Sequence, residues 1–230
     1  MRSQAEKGRM FRELHKRSGL ILLPNPWDAG TAKLLQSLGF EALATTSLGM
    51  SNALGRVDGD GAVSRAELLE NCRVIAGATD LPVNADLENG YADDPKEAAT
   101  ILRDAAAVGI VGGSIEDWSG ERIYDFNHAV ERVAAGADVL YAPGLHDLET
   151  MRMVASAVTK PLNVVMSAGD PDLTAEQIAA TGVKRISVGG ALSRLALAAF
   201  MKGANDMKAG SFLWMRDTMA TSDLKKVFRG

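Results

Sequence analysis

Short apolar runs alternate with amphipathic segments along most of this chain. The apolar runs predict seven β-strands, at residues 20–24, 42–46, 82–87, 113–116, 139–142, 162–166 and 185–188. The segments between them predict helices, and some open with a capping pattern, such as Ser64 followed by Glu67 three residues later. Because the strands are almost continuously apolar and helices separate them, the pattern predicts a parallel sheet covered by helices.

Glycine ends four of the predicted helices just before a strand, at Gly39, Gly109, Gly136 and Gly182. Glycine readily takes the left-handed conformation that closes a helix, so these positions form a weak internal repeat. No G-x-G-x-x-G follows the first strand, which favours a barrel over a dinucleotide-binding sheet. The prediction is an α/β chain with a TIM (β/α)8-type barrel; since seven strands are predicted, one β/α unit is missing.

The length of 230 residues is enough for one buried core, so a single barrel domain is expected over residues 1–230. Residues 191–230 predict C-terminal helices that carry large apolar side chains, including Phe200, Phe212 and Trp214. Two uses fit this segment equally well. It covers a contact between subunits, or it packs under its own barrel.

Composition excludes several classes of partner. The net charge is −4 and no basic stripe occurs, so nucleic acid is not expected to bind. No apolar stretch approaches the ~20 residues of a membrane helix, and the charged N-terminus has no signal-peptide core.

The single cysteine, Cys72, excludes an intramolecular disulfide and suits a cytoplasmic setting. It falls within a predicted helix, where a small core residue is the more common role than a nucleophile.

Carboxylates end two of the predicted strands. Asp86 and Glu88 end the third strand, and Glu116 ends the fourth. In a parallel barrel these ends meet on the face that carries the active site. Alternate strand residues face the same side, so Asp86 and Glu88 are expected to point together and to need a cation, a proton or a strong donor. Hard carboxylate oxygens favour Mg²⁺, which keeps several of its waters.

The other predicted strand ends carry polar residues or glycine, namely Asn25, Thr46, Ser47, Gly189 and Gly190. The hydroxyls of Thr46 and Ser47, with the backbone N–H groups that follow, are suited to a carboxylate or a phosphate. Gly189 and Gly190 precede a helix, which is typical of a tight turn or of an anion site at a helix N-terminus. Asp58 lies in a glycine-rich loop, and this local sequence alone predicts a solvated turn.

These residues lie in stretches that resemble the isocitrate lyase/phosphoenolpyruvate mutase superfamily, and most closely its small bacterial members similar to PEP mutase. The resemblance covers nearly the whole chain. It includes the run Asn84-Ala85-Asp86-Leu87-Glu88. The other matching stretches are residues 23–29, 44–48, 54–59, 89–91, 114–117 and 186–191. Together these stretches are specific, although each alone would be weak.

The resemblance implies a (β/α)8 barrel that binds Mg²⁺, with Mn²⁺ as an alternative, and a 2-oxo or enol acid. It implies C–C bond cleavage or P–C bond rearrangement, in tetramers that exchange a C-terminal helix between subunits. It places Thr46, Ser47 and Leu48 on the loop that holds the substrate's carboxylate or phosphoryl group. It also places Asp58 near the metal, and it matches Asp86 to the second Asp of the family's Asp-Ala-Asp and Glu116 to the acid of the family's fourth strand.

Three departures from the family pattern stand out. A direct metal ligand of the family is Asn84 here, and we hypothesise that Glu88 compensates for it. The catalytic cysteine loop of the true lyases is replaced by Trp118-Ser119-Gly120-Glu121-Arg122. Between residues 117 and 139 there is room for one helix only, so the fifth strand and its substrate-binding arginine are missing.

The leading hypothesis is a Mg²⁺-dependent, lyase-like enzyme acting on a small 2-oxo or enol carboxylic acid, by C–C cleavage or decarboxylation through a metal-stabilised enolate. Asp58 and Glu116 are its expected catalytic residues, and Asp86, Glu88 and Glu116 its metal ligands. Asn25, Thr46, Ser47, Leu48, Gly189 and Gly190 are the expected substrate-binding residues. Two alternatives stay open. The chain is a non-enzymatic member that keeps the fold and ligand binding, or it performs phosphonopyruvate P–C chemistry. A homo-oligomer, dimer or tetramer, is expected in each case.

Overall fold

A computed structural model of the chain describes residues 1–59, 61–116, 119, 122–124, 138–167, 169 and 172–229. The helix predicted between the fourth and fifth strands, with Gly136 at its end, lies largely outside these residues, and so does Asp117, the last residue of the matching stretch 114–117.

All seven predicted strands are confirmed, each within three residues of its predicted bounds. They are β1 Ile21–Leu23, β2 Leu43–Ala44, β3 Val83–Asp86, β4 Gly112–Ser114, β5 Leu140–Ala142, β6 Leu162–Val165 and β7 Arg185–Ser187. The helices of the described residues are α1 Gln4–Lys16, α2 Ala29–Ser37, α3 Ser47–Leu54, α4 Arg65–Ala78, α5 Pro95–Ala107, α6 Leu148–Ala157, α7 Ala175–Ala179, α8 Ala191–Lys208 and α9 Thr221–Arg229. A 3₁₀ helix spans Leu213–Asp217.

All the strand pairs are parallel, which confirms the predicted class. The strands form one sheet in the order β1-β7-β6-β5 and another in the order β2-β3-β4. The two sheets meet where the Ala44 N–H donates to the carbonyl of Pro24, at 3.1 Å. The joined series therefore runs β5-β6-β7-β1-β2-β3-β4, which is the strand order of a barrel. Among the described strands, β4 and β5 end this series, and the unit predicted to be missing falls between them in the sequence.

Local sequence signals set the helix ends. Asp28 caps α2 and Ser64 caps α4, each accepting from the backbone N–H three residues on. Gly39, Gly109 and Gly182 have positive φ values, as the predicted helix-ending glycines require.

Helix α1 closes the end of the sheets opposite the predicted site. Phe11 is 8% exposed and packs with residues of β1 and β2. Its ring also approaches β4, where a Cβ on Gly112 would lie 3.0 Å from Phe11 Cε1 and 2.7 Å from Asn84 Oδ1. Any side chain at position 112 would therefore push Phe11 or Asn84 away, so this glycine is needed for the close packing beneath the site.

The C-terminal helices lie on the outside of the same barrel. Asn52 Nδ2 of α3 donates to Ser193 Oγ of α8 at 3.2 Å. Farther on, Lys33 Nζ of α2 donates to the carbonyl of Phe228 in α9, also at 3.2 Å. Several large apolar side chains of this segment remain exposed in the single chain, namely Leu195, Phe200, Met201, Phe212, Leu213 and Met215. Of the helices described, none has the length and apolar character that crossing a bilayer requires.

Candidate active site

A small cavity, partly open to solvent, lies at the carboxyl ends of the strands. Its lining comes from six of the seven strands or the residues that follow them. The lining residues are Asn25, Ala44, Thr45, Asn84, Asp86, Ser114, Glu116, Tyr141, Arg185, Ser187 and Gly189. Four of the predicted site residues, Asn25, Asp86, Glu116 and Gly189, are therefore brought together.

Asp86 is held by the first residue of a helix. It ends β3, and its Oδ2 accepts from both the backbone N–H and the Oγ of Ser47, each at 2.9 Å. Ser47 begins α3 because Thr46 caps it, with Thr46 Oγ1 accepting from the Gly49 N–H at 3.2 Å. The positive end of the helix dipole favours a carboxylate at this place. Ser47 is thus a partner of Asp86 in this structure.

Glu88 lies at the same site as Asp86, but its position does not result from the strand alternation that the sequence predicts. Strand β3 ends at Asp86, and Glu88 has the left-handed φ of 48°. Strand alternation therefore does not set its direction. The Glu88 N–H donates to Asp86 Oδ1 at 3.2 Å, and the Tyr91 hydroxyl donates to Glu88 Oε1 at 3.2 Å. Burial, and then the charge of Asp86, raise the pKa of Glu88 to about 7.

Glu116 adds a third carboxyl group. Its backbone N–H donates to the carbonyl of Glu88 at 2.7 Å, which fixes the loop after β4 against the loop after β3. Burial is the main reason that the pKa of Glu116 rises to about 7, and the charges of Asp86, Asp58 and Glu88 raise it further. Glu88 and Glu116 are therefore partly protonated near neutral pH without a cation.

Asp58 lies beside the cavity rather than in its lining. Its Oδ1 accepts from Ser51 Oγ at 3.0 Å, so a helix residue holds the glycine-rich loop in place. Burial, followed by a smaller effect of Asp86, raises the pKa of Asp58. Asp58 is thus half-buried, hydrogen-bonded and electrostatically coupled to the acids of the cavity, unlike a residue of a freely solvated turn.

The acidic set fits a hydrated divalent cation better than a fully coordinated one. Its donors are hard oxygens, and their mutual repulsion would be relieved by positive charge. Among the residues that the structure describes, however, no three His, Cys, Asp or Glu side chains are close enough to bind one ion directly. Mg²⁺ would bind here with one or two carboxylates and several waters. The ligand roles of Asp86, Glu88 and Glu116 remain predictions.

Asn84 stands where the resemblance implies a metal ligand, and its amide is used inside the protein. It is buried, with Nδ2 donating to Ser114 Oγ at 3.0 Å and to the carbonyl of Ala85 at 3.3 Å. These bonds join β3 to β4 beneath the acids. Asn84 therefore stabilises the pairing of β3 with β4 below the acidic residues.

Other predicted substrate-binding residues shape the cavity walls. Asn25 Nδ2 donates to the carbonyl of Thr45, and Asn25 Oδ1 accepts from the Val188 N–H, both at 2.9 Å. These bonds join the ends of β1, β2 and β7. Gly190 packs so closely on Leu48 that an added Cβ would lie 2.5 Å from a Leu48 methyl carbon. The two residues fix α8 against α3.

Sequence reasoning missed Arg185, the main positive group of the cavity. Arg185 begins β7 and is 6% exposed, and its Nε donates to Asn163 Oδ1 at 3.1 Å. Burial lowers its pKa to about 10, so it is charged at neutral pH. The sequence feature that could have revealed Arg185 is a charged residue at the start of an apolar strand.

Cys72 is a core residue as expected, and burial raises its thiol pKa to about 12.

Parallel strands in barrel order, with an acidic cavity at their carboxyl ends, define a protein of the (β/α)-barrel class. The profile of the phosphoenolpyruvate phosphomutase family matches residues 11–135 and 133–208. The chain belongs to this family, within the isocitrate lyase/PEP mutase superfamily. The two matches meet at residues 133–135, in the region where the sequence predicts a missing unit.

Several relatives support this assignment. A solved structure from Burkholderia cenocepacia J2315, with a proposed lyase/mutase assignment, is 40% identical over 99% of this chain and 98% of that one, with a TM-score of 0.94. A second, a proposed phosphonomutase from the same organism, is 31% identical over 87% and 99%, with a TM-score of 0.79. The 2,3-dimethylmalate lyase of Eubacterium barkeri is 26% identical over 69% of this chain and 57% of that protein. Members of the superfamily are lyases and mutases that act on small carboxylates.

Proposed function

We propose that this protein is a Mg²⁺-dependent carbon–carbon lyase for a small 2-oxo or 2-hydroxy carboxylic acid. The observation that carries the proposal is the make-up of one small cavity, in which Asp86 and Glu116 line the same space as the charged Arg185. Such a cavity offers a cation site and a positive group for a carboxylate. The lyase activity of the curated relatives supports the reaction class.

Asp86 and Glu116 would hold the cation, mainly through waters, and Glu88 would add negative charge in place of the ligand lost at Asn84. When bound, Mg²⁺ supplies a Lewis acid that polarises the oxygen at C2 of the substrate. Asp86 is preorganised for this task, because Ser47 fixes its Oδ2 with two hydrogen bonds. Its Oδ1 faces the backbone N–H of Glu88.

Asp58 and Glu116 are the proposed proton carriers. A carboxyl group transfers protons best when its pKa is near the working pH, and burial raises the pKa of both groups. In the proposed cleavage of a 2-hydroxy acid, one carboxylate takes the proton from the C2 hydroxyl as the C2–C3 bond breaks. A proton then returns to C3 of the leaving fragment, so that a 2-oxo acid and a shortened acid result.

The N-terminus of α3 is the proposed binding site for the substrate carboxylate. Helix N-termini bind anions through N–H groups that have no partner within the helix. Asp86 accepts from the Ser47 N–H, and Thr46 Oγ1 accepts from the Gly49 N–H. The N–H of Leu48, between them, is the donor we assign to the substrate.

Release of a 2-oxo acid tests the proposal. The protein is incubated with C4–C6 oxo and hydroxy diacids with Mg²⁺ or with EDTA, and pyruvate is followed by coupled reduction. We expect turnover of at least one acid, abolished by EDTA and reduced at least about 100-fold in Asp86→Asn. Glu70→Gln, which changes an exposed pair with Arg73, is the matched control and should keep full activity.

The absence of metal-dependent turnover across the panel would contradict the lyase assignment. If oxalate still binds with Mg²⁺ in that case, the non-enzymatic alternative takes its place. Adding phosphonopyruvate to the panel tests P–C chemistry, for which phosphoenolpyruvate formation is the readout.

We also propose that the protein is a homo-oligomer. The exposed apolar side chains of residues 195–215 form an unusual concentration of such surface, with Phe200 69% and Leu213 65% exposed. Patches of this kind normally mark an interface. Contact with a second copy through these C-terminal helices would bury them.

A further inference from the structure

Glu88 belongs to the acidic set but does not line the cavity, whereas Asp86 and Glu116 do. Its backbone is fixed at both of its polar groups. The Glu88 N–H donates to Asp86 Oδ1 at 3.2 Å, and the Glu88 carbonyl accepts from the Glu116 N–H at 2.7 Å. The position of the Glu88 carboxylate therefore depends on its side-chain torsions and on the group that contacts it.

The loop that carries Glu88 is tightly constrained. Glu88, Gly90 and Tyr91 have positive φ values of 48°, 79° and 58°. The Gly90 N–H donates to the carbonyl of Leu87 at 2.9 Å, and a Cβ on Gly90 would lie 2.9 Å from Ala98 Cβ. Left-handed residues other than glycine persist only where the surrounding structure holds them. The loop therefore keeps residues 88 and 91 in a fixed relative position.

Tyr91 is the residue that holds the Glu88 carboxylate. Its ring packs against the hydrophobic core that includes Leu87, and its N–H donates to Asn89 Oδ1 at 2.9 Å. From this anchored ring, the hydroxyl donates to Glu88 Oε1 at 3.2 Å. Burial raises the pKa of Tyr91, so the hydroxyl keeps its proton and remains a donor. Rotation of the Glu88 side chain towards the cavity would break this hydrogen bond.

Mg²⁺ and Ca²⁺ make different demands on carboxylates. Mg²⁺ keeps several waters and takes one or two carboxylates, whereas Ca²⁺ takes more oxygen ligands and often both oxygens of one carboxylate. Within the described part of the chain, no three acidic, histidine or cysteine side chains are close enough to bind one ion directly. The arrangement therefore suits the smaller ion, as long as Glu88 stays where Tyr91 holds it.

We propose that Tyr91 is a positioning residue that makes the cation site select Mg²⁺ over Ca²⁺. By holding Glu88 beside the cavity, Tyr91 limits it to contact with the cation through water. Without the hydroxyl, Glu88 turns towards the cation and coordinates it directly, which favours Ca²⁺ more than Mg²⁺. This inference rests on the proposed function, because it concerns the cation site of the same cavity.

The cation affinities of Tyr91→Phe test the inference. This change removes the hydroxyl and keeps the ring in the core. Binding of Mg²⁺ alone and of Ca²⁺ alone to the purified, metal-free protein is measured by calorimetry. We expect wild type to prefer Mg²⁺ by at least about tenfold, and Tyr91→Phe to bind Ca²⁺ at least about tenfold more tightly than wild type, with Mg²⁺ affinity within about threefold.

A gain in Ca²⁺ affinity is not the result of a loop that is merely loosened, because loosening would weaken the binding of both ions. Unchanged Ca²⁺ affinity in Tyr91→Phe, or equal weakening for both ions, would therefore overturn the inference. So would a wild-type protein that binds Ca²⁺ as tightly as Mg²⁺.

A double-mutant cycle shows whether the effect passes through Glu88. In a Glu88→Gln background, Tyr91→Phe should leave Ca²⁺ affinity unchanged, since no charged group remains to be released. Tyr124→Phe is the matched control, because the Tyr124 hydroxyl also donates to a carboxylate, that of Asp93, at an exposed site. It should keep the wild-type affinities. A gain in Ca²⁺ affinity in the Glu88→Gln background, or an equal gain in Tyr124→Phe, would overturn the inference.

Turnover separates this inference from the proposed function. Mg²⁺-dependent turnover together with unchanged Ca²⁺ affinity in Tyr91→Phe would overturn the role of Tyr91 and leave the lyase proposal standing. The expected change in cation preference without turnover of any acid in the panel would support the role of Tyr91 and contradict the lyase proposal.

Discussion

The acids of the cavity show how single residues are set for chemistry at the expense of stability. The pKa values of Glu88 and Glu116 are each raised to about 7, mainly by burial. Glu88 and Tyr91 also have left-handed φ values of 48° and 58°, which are uncommon for residues other than glycine. Such strain concentrates at functional sites.

The residues of the site were only partly predictable from the sequence. Asp86 and Glu116 were found because acids at the ends of apolar strands require a reason to be buried. Arg185 was missed because a charged residue at the start of a predicted strand can equally face solvent. Only the fold shows that it lies over Phe11 inside the barrel.

Neutralising Glu88 should separate stability from metal binding. We expect Glu88→Gln to raise the Tm of the metal-free protein by at least about 2 °C at pH 8, because it removes charge repulsion with Asp86. The same variant should lose at least about tenfold in Mg²⁺ affinity measured by calorimetry. Glu70→Gln is the surface control, with neither effect expected; unchanged Mg²⁺ affinity in Glu88→Gln would remove Glu88 from the metal site.

The raised pKa values also predict a pH dependence. Between pH 4.5 and about 7 the folded, metal-free protein keeps protons that the unfolded chain has released. These groups therefore make stability fall as pH rises through this range. A bound cation favours the charged carboxylates, so the increase in Tm caused by Mg²⁺ should grow from pH 5 to pH 8. An increase that does not change with pH would show that these carboxyl groups do not meet the ion.

At the level of elements, the site depends on how closely α3 and α8 approach each other. All seven strands and the caps of α2 and α4 were predictable, because apolar runs and capping residues are local signals. The contact between Gly190 and Leu48 was not, since it joins residues far apart in sequence. The predicted crossover helix between β4 and β5 remains a prediction, because most of it lies outside the described residues.

A single methyl group should disturb that contact. In Gly190→Ala the new Cβ would lie 2.5–3.0 Å from three carbons of Leu48. We expect a loss of about 1–3 kcal/mol in the free energy of unfolding, measured in urea, together with weaker oxalate binding as α3 shifts. Gly77→Ala is the matched control, because nothing lies within 4 Å of its Cβ position in α4. It should stabilise the protein by up to about 1 kcal/mol. Equal stability of wild type and Gly190→Ala would show that the contact is loose.

For the whole molecule, the exposed C-terminal apolar surface predicts self-association. Wild-type protein should have the mass of a dimer or tetramer by light scattering, and Phe200→Glu with Leu213→Glu should reduce it. Leu38→Glu serves as the control, since Leu38 is 74% exposed outside this segment. A wild-type mass of 24.3 kDa, that of one chain, would contradict the proposed oligomer.

In the proposed function, the acids of the cavity and the start of α3 together bind a cation and a carboxylate. The most direct measurement is the thermal stability of the purified protein with Mg²⁺ alone, oxalate alone and both together. We predict a rise in Tm with both that exceeds the sum of the separate effects, since each ligand strengthens the binding of the other. A folded protein whose Tm does not respond to the combination would contradict the proposed cation and carboxylate site.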